Sequence, residues 1–475
     1  MEKHSLMGKG SKEESDIFAI HTASPFGRGE KLGIVADDLT GATTVGVLLA
    51  HSGMKTAAFF DTDCFARNTV DYPAMVVSSE SRALPKAQAQ QRVATAVRQL
   101  QQRGARYFTK RIDTTLRGGI GYEIDAMLEL LAHDAVAVVV PAMPQSRRIV
   151  VGGYSIIDSV ALSCTDVARD VRTPVTESWV PGLLAEQTRH QVGHVALTQV
   201  MKRGAWLRQA LLDCYQAGLR VIVVDAITLD DVDAIAHAVV ALNWNVLAVD
   251  PGPFTERLAA CRHLMDETPY HQPQPLPRDT QRGSVMVVAG SATPVTQKQL
   301  QHLIAHDSRV CHIPVDAGLL VEGQDAAQSE IDRVVEQARH CVAQRQDALL
   351  VFESALTGRL LDLCEQEQRL HLAPGQAAGN INQGMGRIVK QMLDCAGSGI
   401  QGLYMTGGDT MVSILKALGA SGIEMIDYVI PQTDMVRIVG GEYAGLICVG
   451  KGGLTGPEEI ISTIIGRISQ QVNHH

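Results

Sequence analysis

The regular alternation of short apolar runs with longer amphipathic segments is the feature that most constrains the fold of this chain. In the first half the apolar runs are LGIVA (32–36), TAAFF (56–60), AMVVS (74–78), RYFT (106–109), AVAVVVP (135–141), VIVVDA (221–226) and NVLAVDP (245–251). In the second half they are SVMVVAG (284–290), VCHIPV (310–315), ALLVFES (348–354), GLYMTGG (402–408), DYVIP (427–431) and GLICVGKGG (445–453). Short strands separated by helices predict an α/β fold with mainly parallel sheets and helices on both faces.

Length and one proline-rich segment divide the chain into two predicted domains. With 475 residues the chain is too long for one ordinary hydrophobic core. Residues 266–283 carry four prolines within nine positions and have no periodicity, which predicts a semi-rigid linker. Residues 1–30 are polar and aperiodic, and we expect a flexible leader there. The predicted α/β domains therefore span residues 31–265 and 284–470.

The composition excludes several classes of function. A formal net charge of −9 and only 4% aromatic residues argue against nucleic-acid binding. No apolar run approaches the roughly 18 residues of a membrane span, and the first thirty residues lack the apolar core of a signal peptide. The nine cysteines are scattered without a CxxC pair, as in a reduced protein. We expect a cytoplasmic protein that binds neither nucleic acid nor membrane.

Two aspartates directly follow the first predicted strand. Asp37 and Asp38 lie where open α/β sheets bind their ligands, between the strand 32–36 and an apolar helix that begins near Gly41. An aspartate at that position is also a favourable helix N-cap. We expect one of the two to cap the helix and the other to take part in catalysis.

A second charged segment lies between the strand 106–109 and the next helix. Within eight positions it contains the charged residues Lys110, Arg111, Asp113 and Arg117, followed by glycines. This density of charge is typical of an anion site in which Arg117 binds a carboxylate through both arms of its guanidinium group. A solvated helix start is the alternative. Arg82, after the strand 74–78, can add a second cation.

Three predicted strands of the second half end in small residues before a helix. These ends are 287–296 with Ser291, 403–415 with Gly407 and Gly408, and 446–461 with the densest glycine loop of the chain. Such loops let backbone N–H groups approach phosphates. Neither GxxxxGK[ST] nor GxGxxG occurs in them, which disfavours a Walker-type NTPase and a dinucleotide dehydrogenase. Lys451 is then the candidate phosphate-pairing cation, with a surface lysine as the alternative.

Two histidine pairs have the i, i+4 spacing that can bind a metal on a helix. They are His190 with His194 and His302 with His306. Neither pair has an evident third ligand, so solvent-facing histidines are the preferred interpretation and no metal-binding residues are predicted.

Five segments in this order resemble the four-carbon acid sugar kinases, which phosphorylate threonate or erythronate. They are ADDLTGA (36–42), KRIDTTLRGGIG (110–121), AGSATPVT (289–296), TGGDT (406–410) and VGKGGLTG (449–456), and the D-threonate kinases look closest. The resemblance covers residues 32–466. The chain departs from the family pattern at Thr114, which replaces the serine of DST, and at residues 452–455, where GGLT replaces GGFG or GNFG.

The resemblance implies transfer of phosphate from ATP to a sugar acid across a cleft between two domains. It implies catalysis by Asp37 or Asp38, with substrate contacts from Arg82, Lys110, Arg111, Ile112, Asp113 and Arg117. It implies nucleotide contacts from Ser291, Gly407, Gly408, Asp409, Gly450, Lys451, Gly452 and Gly453, with Mg²⁺ between the phosphates. The expected reaction converts D-threonate to 4-phospho-D-threonate.

Several alternatives stay open at this point. D-erythronate or L-threonate can replace D-threonate as substrate, because these acids differ only in hydroxyl orientation. A non-catalytic sugar-acid sensor that closes at residues 266–283 has no need of a phosphate-binding loop. A hydrolase or aldolase that uses Asp37 and Lys110 would act without ATP. The oligomeric state, with a homodimer as one alternative, is also open.

Overall fold

One large mixed β-sheet runs through the described part of the chain. The computed structural model describes residues 29–170, 172–265, 283–290, 292–354, 356, 361–396, 399–430 and 432–472. Within these residues fifteen strands are hydrogen-bonded in the order β13-β14-β12-β15-β18-β17-β16-β2-β3-β1-β4-β11-β5-β10-β9. A separate sheet contains β6, β7 and β8.

The first half supplies the right-hand part of this order. Its strands are β1 (Lys31–Ala36), β2 (Thr56–Phe59), β3 (Ala74–Ser78), β4 (Ala105–Arg111), β5 (Val136–Val139), β6 (Arg148–Val151), β7 (Tyr154–Ile157), β8 (Val160–Ala161), β9 (Val192–Val195), β10 (Val221–Val224) and β11 (Val246–Asp250). Its helices are α1 (Leu39–His51), α2 (Thr62–Arg67), α3 (Lys86–Gln102), α4 (Ile120–Leu128), α5 (Val180–Gln187), α6 (Leu197–Val200), α7 (Gly204–Gln216), α8 (Leu229–Leu242) and α9 (Pro253–Cys261). Short 3₁₀ turns cover Pro144–Ser146, Leu162–Cys164 and Asp166–Arg169.

The second half supplies the remaining strands. They are β12 (Ser284–Ala289), β13 (Val310–Pro314), β14 (Leu349–Glu353), β15 (Ile400–Thr406), β16 (Gly422–Ile430), β17 (Thr433–Val439) and β18 (Ile447–Lys451). The helices are α10 (Pro294–His306), α11 (Ala317–Glu322), α12 (Gln324–Gln344), α13 (Leu363–Arg369), α14 (Gln376–Ala396), α15 (Gly408–Ala417) and α16 (Ile460–Val472).

The side-chain alternation of the strands explains why helices cover both faces. In β1, Ile34 packs into the core on the α1 face, whereas Val35 packs into the core that contains α3 and α4. In β12, Val288 and Val287 divide in the same way between α14 and α16. Because each strand is apolar on both sides, the sheet must be covered on both sides. The predicted α/β class is confirmed.

The sequence pattern located most strands and missed a few. Each apolar run named above overlaps a strand of the structure. The short sheet β6–β8, the edge strand β9 and the strand β17 were not predicted, because these segments are short or contain polar residues. Most of the predicted leader and of the proline-rich linker lies outside the described residues, so both stay predictions, as do the domain limits.

A hairpin of the second half joins the two parts of the sheet. Strand β16 pairs antiparallel with β2 through Gly422–Phe59, Ile423–Ala58 and Glu424–Ala57. Strand β17 pairs antiparallel with both β16 and β18, so the strand direction reverses between β2 and β18. The sequence pattern did not indicate this connection. The core on the α1 face continues from Val45 of α1 to Ile414 of α15.

The cysteines and the helices bear on the expectations of a reduced protein and of no membrane span. All nine cysteines are free thiols. Among the helices of the described segments, none combines the length and the apolar character needed to cross a membrane.

Replacing Gly422 by alanine should weaken the junction of the two half-sheets. A Cβ atom at this position would lie 2.5 Å from the carbonyl oxygen of Ala58, which is backbone and cannot move freely. We expect G422A to lower the free energy of unfolding by about 1–3 kcal/mol, as overpacking does. Urea denaturation followed by circular dichroism measures the change.

Gly466 provides the control, because a Cβ atom there meets nothing within 4 Å and the residue lies inside α16. G466A should be neutral or stabilising. Equal midpoints for G422A and the wild type would contradict the importance of the junction.

Candidate functional site

An acid–arginine cluster lies where β1, β3 and β4 end. It consists of Asp37, Asp38, Arg82, Arg111, Asp113 and Arg117. Arg82 binds both carboxylate oxygens of Asp37, with Nε to Oδ2 at 2.8 Å and Nη2 to Oδ1 at 3.1 Å. Its Nη1 atom lies 2.5 Å from Oδ2 of Asp38. One arginine therefore holds both predicted catalytic aspartates.

The backbone explains how Arg82 reaches β1. The loop after β3 is hydrogen-bonded to the end of β1, because Ser79 N donates to the Ala36 carbonyl at 2.8 Å and Ser81 N donates to the Asp37 carbonyl at 3.0 Å. The parallel pairing of β1 with β3 brings the two strand ends together in this way.

Arg111, the last residue of β4, supports the aspartates from below. Its side chain is buried, and Nη1 lies 3.8 Å from Oδ1 of Asp37 and 3.7 Å from Oδ1 of Asp38. A Cβ atom at Gly41 would lie only 1.9 Å from this Nη1 atom. The glycine of the ADDLTGA segment is therefore needed so that the first turn of α1 can pass over the guanidinium group.

Asp113 and Arg117 form the outer part of the cluster. Arg117 donates from Nε to Oδ2 of Asp113 at 2.8 Å, and its Nη1 lies 3.3 Å from Oδ2 of Asp170. Burial alone would raise the pKa of Asp113, but hydrogen bonds from Arg117 and the charge of Arg82 outweigh it and hold that pKa well below its usual range. Asp113 is therefore a permanent anion that orients two arginines.

The two aspartates after β1 differ in their environment. Asp37 is buried and fully occupied by Arg82. Asp38 is the N-cap of α1, accepts a hydrogen bond from Gly41 N at 2.7 Å, and has 25% of its side chain exposed. Burial and the neighbouring charge of Asp37 raise the pKa of Asp38. Asp38 is therefore the more exposed of the two aspartates and has a raised pKa.

Two predicted substrate contacts lie in the core instead of at an open surface. Lys110 is 1% exposed, with Nζ at 2.6 Å from Oε2 of the buried Glu123, and it donates to the Arg111 carbonyl at 3.1 Å. Ile112 is also 1% exposed. Lys110 lies in β4 and Ile112 directly follows it, so the two side chains, two positions apart, point to the same side of the extended backbone. In this structure Lys110 supports Arg111 from the interior.

In the second half, α15 begins directly at the end of β15. Gly407 has a φ of 103°, which favours glycine, and Gly408 and Asp409 start the helix at its exposed end. A Cβ atom at Gly290 would lie 1.9 Å from the Thr410 hydroxyl, so β12 and α15 touch here through a glycine. The first N–H groups of a helix favour anions. Ser291 lies outside the described residues.

The glycine loop (residues 450–456) leaves β18 beside the start of α15. Lys451 is 3% exposed, and its Nζ donates to the carbonyls of Gly452 at 2.7 Å and Thr455 at 3.1 Å. Burial lowers the pKa of Lys451 to about 8. The ammonium group thus binds two carbonyl groups of its own loop, and its predicted phosphate contact stays a prediction. Leu454, at the position of the family's aromatic residue, is 75% exposed.

One contact connects the two groups of residues. Asp434 of β17 is paired with Gly450 of the glycine loop, and its carboxyl group lies close enough to Thr43 of α1 for the Thr43 side chain to lower its pKa. Burial raises the pKa of Asp434 to about 6. The glycine loop and the helix capped by Asp38 therefore lie near each other despite the reversal of strand direction.

Sequence reasoning missed several residues of the site. Glu123 was overlooked as the partner of Lys110, although a glutamate inside the apolar helix segment GYEIDAML is a signal of a buried ion pair. Asp170 and Asp434 carry no comparable signal. The histidine pairs do not gather metal ligands: in the described residues three ligand groups come together only at Asp233, His237 and Cys261.

Replacing Lys110 by methionine should destabilise the protein more at pH 8 than at pH 5. Burial raises the pKa of Glu123 even though Lys110 lowers it, so without Lys110 the folded protein would hold the proton more tightly still. A carboxyl group whose folded pKa is raised costs stability as the pH rises above its unfolded value. Breaking a buried pair costs about 3–5 kcal/mol.

Thermal melting at both pH values measures this effect. The double variant K110M/E123L removes both charges and should recover most of the lost stability at pH 8. An equal loss at pH 5 and pH 8 for K110M would show that the pair is not electrostatically coupled.

Two family models match the chain. Residues 32–258 match the family model described as a sugar-binding N-terminal domain, and residues 286–461 match that of a nucleotide-binding C-terminal domain. The fold is similar to that of a Haemophilus influenzae protein, with a TM-score of 0.72, 21% identity, and coverage of 92% of this chain and 99% of that chain.

Curated relatives cover nearly the whole chain. A D-erythronate kinase of Heliobacterium modesticaldum is 37% identical over 93% of this chain and 98% of that protein. A D-threonate kinase of Salmonella typhimurium is 30% identical over 91% and 96%. A 3-oxo-tetronate kinase of Pectobacterium atrosepticum is 26% identical over 86% and 92%. The chain therefore belongs to the family of four-carbon acid sugar kinases.

Proposed function

We propose that the chain transfers the γ-phosphate of ATP to the terminal hydroxyl of a four-carbon sugar acid between its two halves, in the cytoplasm. The proximity of Asp434 to Thr43 carries the proposal, because Asp434 is paired with Gly450 of the glycine loop and Thr43 lies in the helix capped by Asp38. The names of the relatives support the substrate class. The nine free thiols fit a reducing compartment.

D-Erythronate is the substrate to test first. The D-erythronate kinase is 37% identical to this chain, whereas the D-threonate kinase is 30% identical. D-Threonate, which the sequence favoured, differs from D-erythronate only in hydroxyl orientation. Phosphorylation at the terminal hydroxyl would give the 4-phospho acid in either case.

The carboxylate of the sugar acid is proposed to bind Arg82 and Arg117. Their side chains are 16% and 31% exposed, so both can be reached from solvent. Asp113 holds the two guanidinium groups, with Nε of Arg117 at 2.8 Å and Nη2 of Arg82 at 3.8 Å. An arginine fixed in this way loses little conformational entropy when it binds a carboxylate. Arg111 and Lys110 act as positioning residues beneath them.

Asp38 is proposed to take the proton of the attacking hydroxyl. A base with a raised pKa accepts a proton more readily than an ordinary carboxylate, and Asp38 is the more exposed aspartate of the pair. The hydroxyl oxygen then forms the bond to the γ-phosphorus while the bond to the β,γ-bridging oxygen breaks and ADP leaves. Most of the catalysis would come from positioning and charge neutralisation.

The nucleotide phosphates are proposed to lie between the start of α15 and the glycine loop. The N–H groups of Gly408, Asp409 and Thr410 have no acceptor within the described residues, as expected for the first turn of a helix. Mg²⁺ would neutralise the β- and γ-phosphates, and the exposed carboxylate of Asp409 fits such a hard cation.

An ADP-release assay with D-erythronate, D-threonate, L-threonate and 3-oxo-tetronate tests the reaction. We expect ATP- and Mg²⁺-dependent release of ADP with one of these acids at a kcat/KM at least ten times that of the others, since reversing one hydroxyl leaves a polar group unpaired. Binding of an acid without ADP release would indicate a sensor. Conversion of the acid without ATP would indicate a hydrolase or aldolase.

D38N should separate catalysis from stability. Asparagine keeps the N-cap, so we expect kcat to fall by about 10²–10⁴-fold while the ADP dissociation constant stays within a few-fold. Because the folded protein raises the pKa of Asp38, removing the charge should leave the melting temperature at pH 7.5 unchanged or higher.

Asp61 provides a matched control, because it caps α2 by accepting from Cys64 N at 2.7 Å. D61N should keep full turnover. The double variant D37N/D38N should abolish turnover. If D38N keeps more than half of the wild-type kcat, Asp38 is not the base.

A further inference from the structure

The carbonyl groups of the glycine loop are held by side chains of the N-cap Thr293 and of one face of α10. The hydroxyls of Thr293 and Thr296 lie 2.5 Å and 3.1 Å from the Gly453 carbonyl. Nε2 of Gln299 lies 3.0 Å, 2.9 Å and 3.1 Å from the carbonyls of Thr455, Gly456 and Pro457, respectively. Thr296 and Gln299 are at most 1% exposed.

Lys451 completes this arrangement from the other side. It donates to the carbonyls of Gly452 and Thr455, as described above. Four donor side chains therefore draw the loop carbonyls toward the interior, where an unpaired carbonyl would be costly. The loop has few apolar contacts of its own to fix its conformation, since its exposed tip is Leu454.

Because the peptide bond is planar, the contacts that hold the carbonyl groups also fix the direction of the N–H groups in the same peptides. In a planar trans peptide, the C=O of one residue and the N–H of the next point in opposite directions. The held carbonyls of Gly452, Gly453 and Thr455 belong to the peptides that carry the N–H groups of Gly453, Leu454 and Gly456. Within the described residues these three N–H groups have no acceptor.

We propose that Thr293, Thr296 and Gln299 are positioning residues that turn the N–H groups of Gly453, Leu454 and Gly456 toward the ATP phosphates. The proposal rests on the proposed function, because it takes the glycine loop as the phosphate-binding loop. It goes further by assigning a role to α10 that the sequence analysis did not foresee. Lys451 orders the loop from beneath in the same way.

Binding of ADP in the presence of Mg²⁺, measured by calorimetry, tests the proposal. Q299M keeps the size of the side chain and removes the donor, and we expect its ADP dissociation constant to rise about tenfold. Q299E places an acceptor against three carbonyls and should raise the ADP dissociation constant further. The KM for the sugar acid should stay within twofold of the wild type in Q299M, since the acid–arginine cluster is unchanged.

Gln301 provides the matched control, because it lies on the same helix and is exposed. Q301M should bind ADP as the wild type does. If Q299M does not fold, Thr296 gives a second pair: T296V should weaken ADP binding several-fold, whereas T296S, which keeps the hydroxyl, should not.

The outcomes distinguish failure of the proposed function from failure of the positioning role. If the wild type binds no ADP, the proposed function fails, and this inference fails with it. If the wild type binds ADP and Q299M or T296V binds it within twofold as tightly, only the positioning role is wrong. A parallel rise in both KM values for Q299M would also overturn it, because that pattern indicates general loss of structure.

Discussion

The charged residues of the sugar-acid side all depend on the contact between Arg82 and Asp37. Arg82 leaves the loop after β3 and binds both oxygens of Asp37 at the end of β1, at 2.8 Å and 3.1 Å. Its remaining donors lie near Asp38 and Asp113. A buried charge is tolerated only when it is paired and hydrogen-bonded. Removing Arg82 would leave three carboxylates facing one another.

This dependence explains the crowding of charge in the segment 110–117. Arg111 adds a second cation under Asp37 and Asp38, and Lys110 is matched by Glu123 deeper in the core. The outer arginine, Arg117, is the most exposed of these cations, with 31% of its side chain open to solvent. The cluster is thus layered, with fully buried charge inside and partly exposed charge outside.

The proposed phosphate site of the second half relies on backbone N–H groups, whereas the acid–arginine cluster of the first half relies on charged side chains. If backbone N–H groups are to bind phosphate, the carbonyl groups of the same peptides must be satisfied elsewhere, and the buried Lys451 donates to two of them. Thr293, Thr296 and Gln299 satisfy them from α10. This arrangement accounts for a glycine loop that is ordered although it carries few packing side chains.

The hydrophobic pattern predicted the strands of the sheet, and the charged residues and glycines after them predicted where the loops of the candidate site lie. The strands β1, β3 and β12 coincide with their apolar runs, and both segments of the acid–arginine cluster were recognised. The burial of Lys110 was not predicted, because its partner Glu123 is thirteen positions away on a helix and its position in an apolar segment was overlooked. The junction of β16 with β2 was equally hidden, since strand pairing between distant segments leaves no local signal.

Asp38 shows how one residue can serve both the fold and the chemistry. As N-cap it accepts from Gly41 N, and the helix start favours its charged form. Burial and the charge of Asp37 act in the opposite direction and raise its pKa. The cap fixes the position of the carboxylate, while the neighbouring charge makes it a better proton acceptor. A raised pKa means that the charged carboxylate costs some stability at this position, and under the proposed function this cost is offset by a base held beside two arginines.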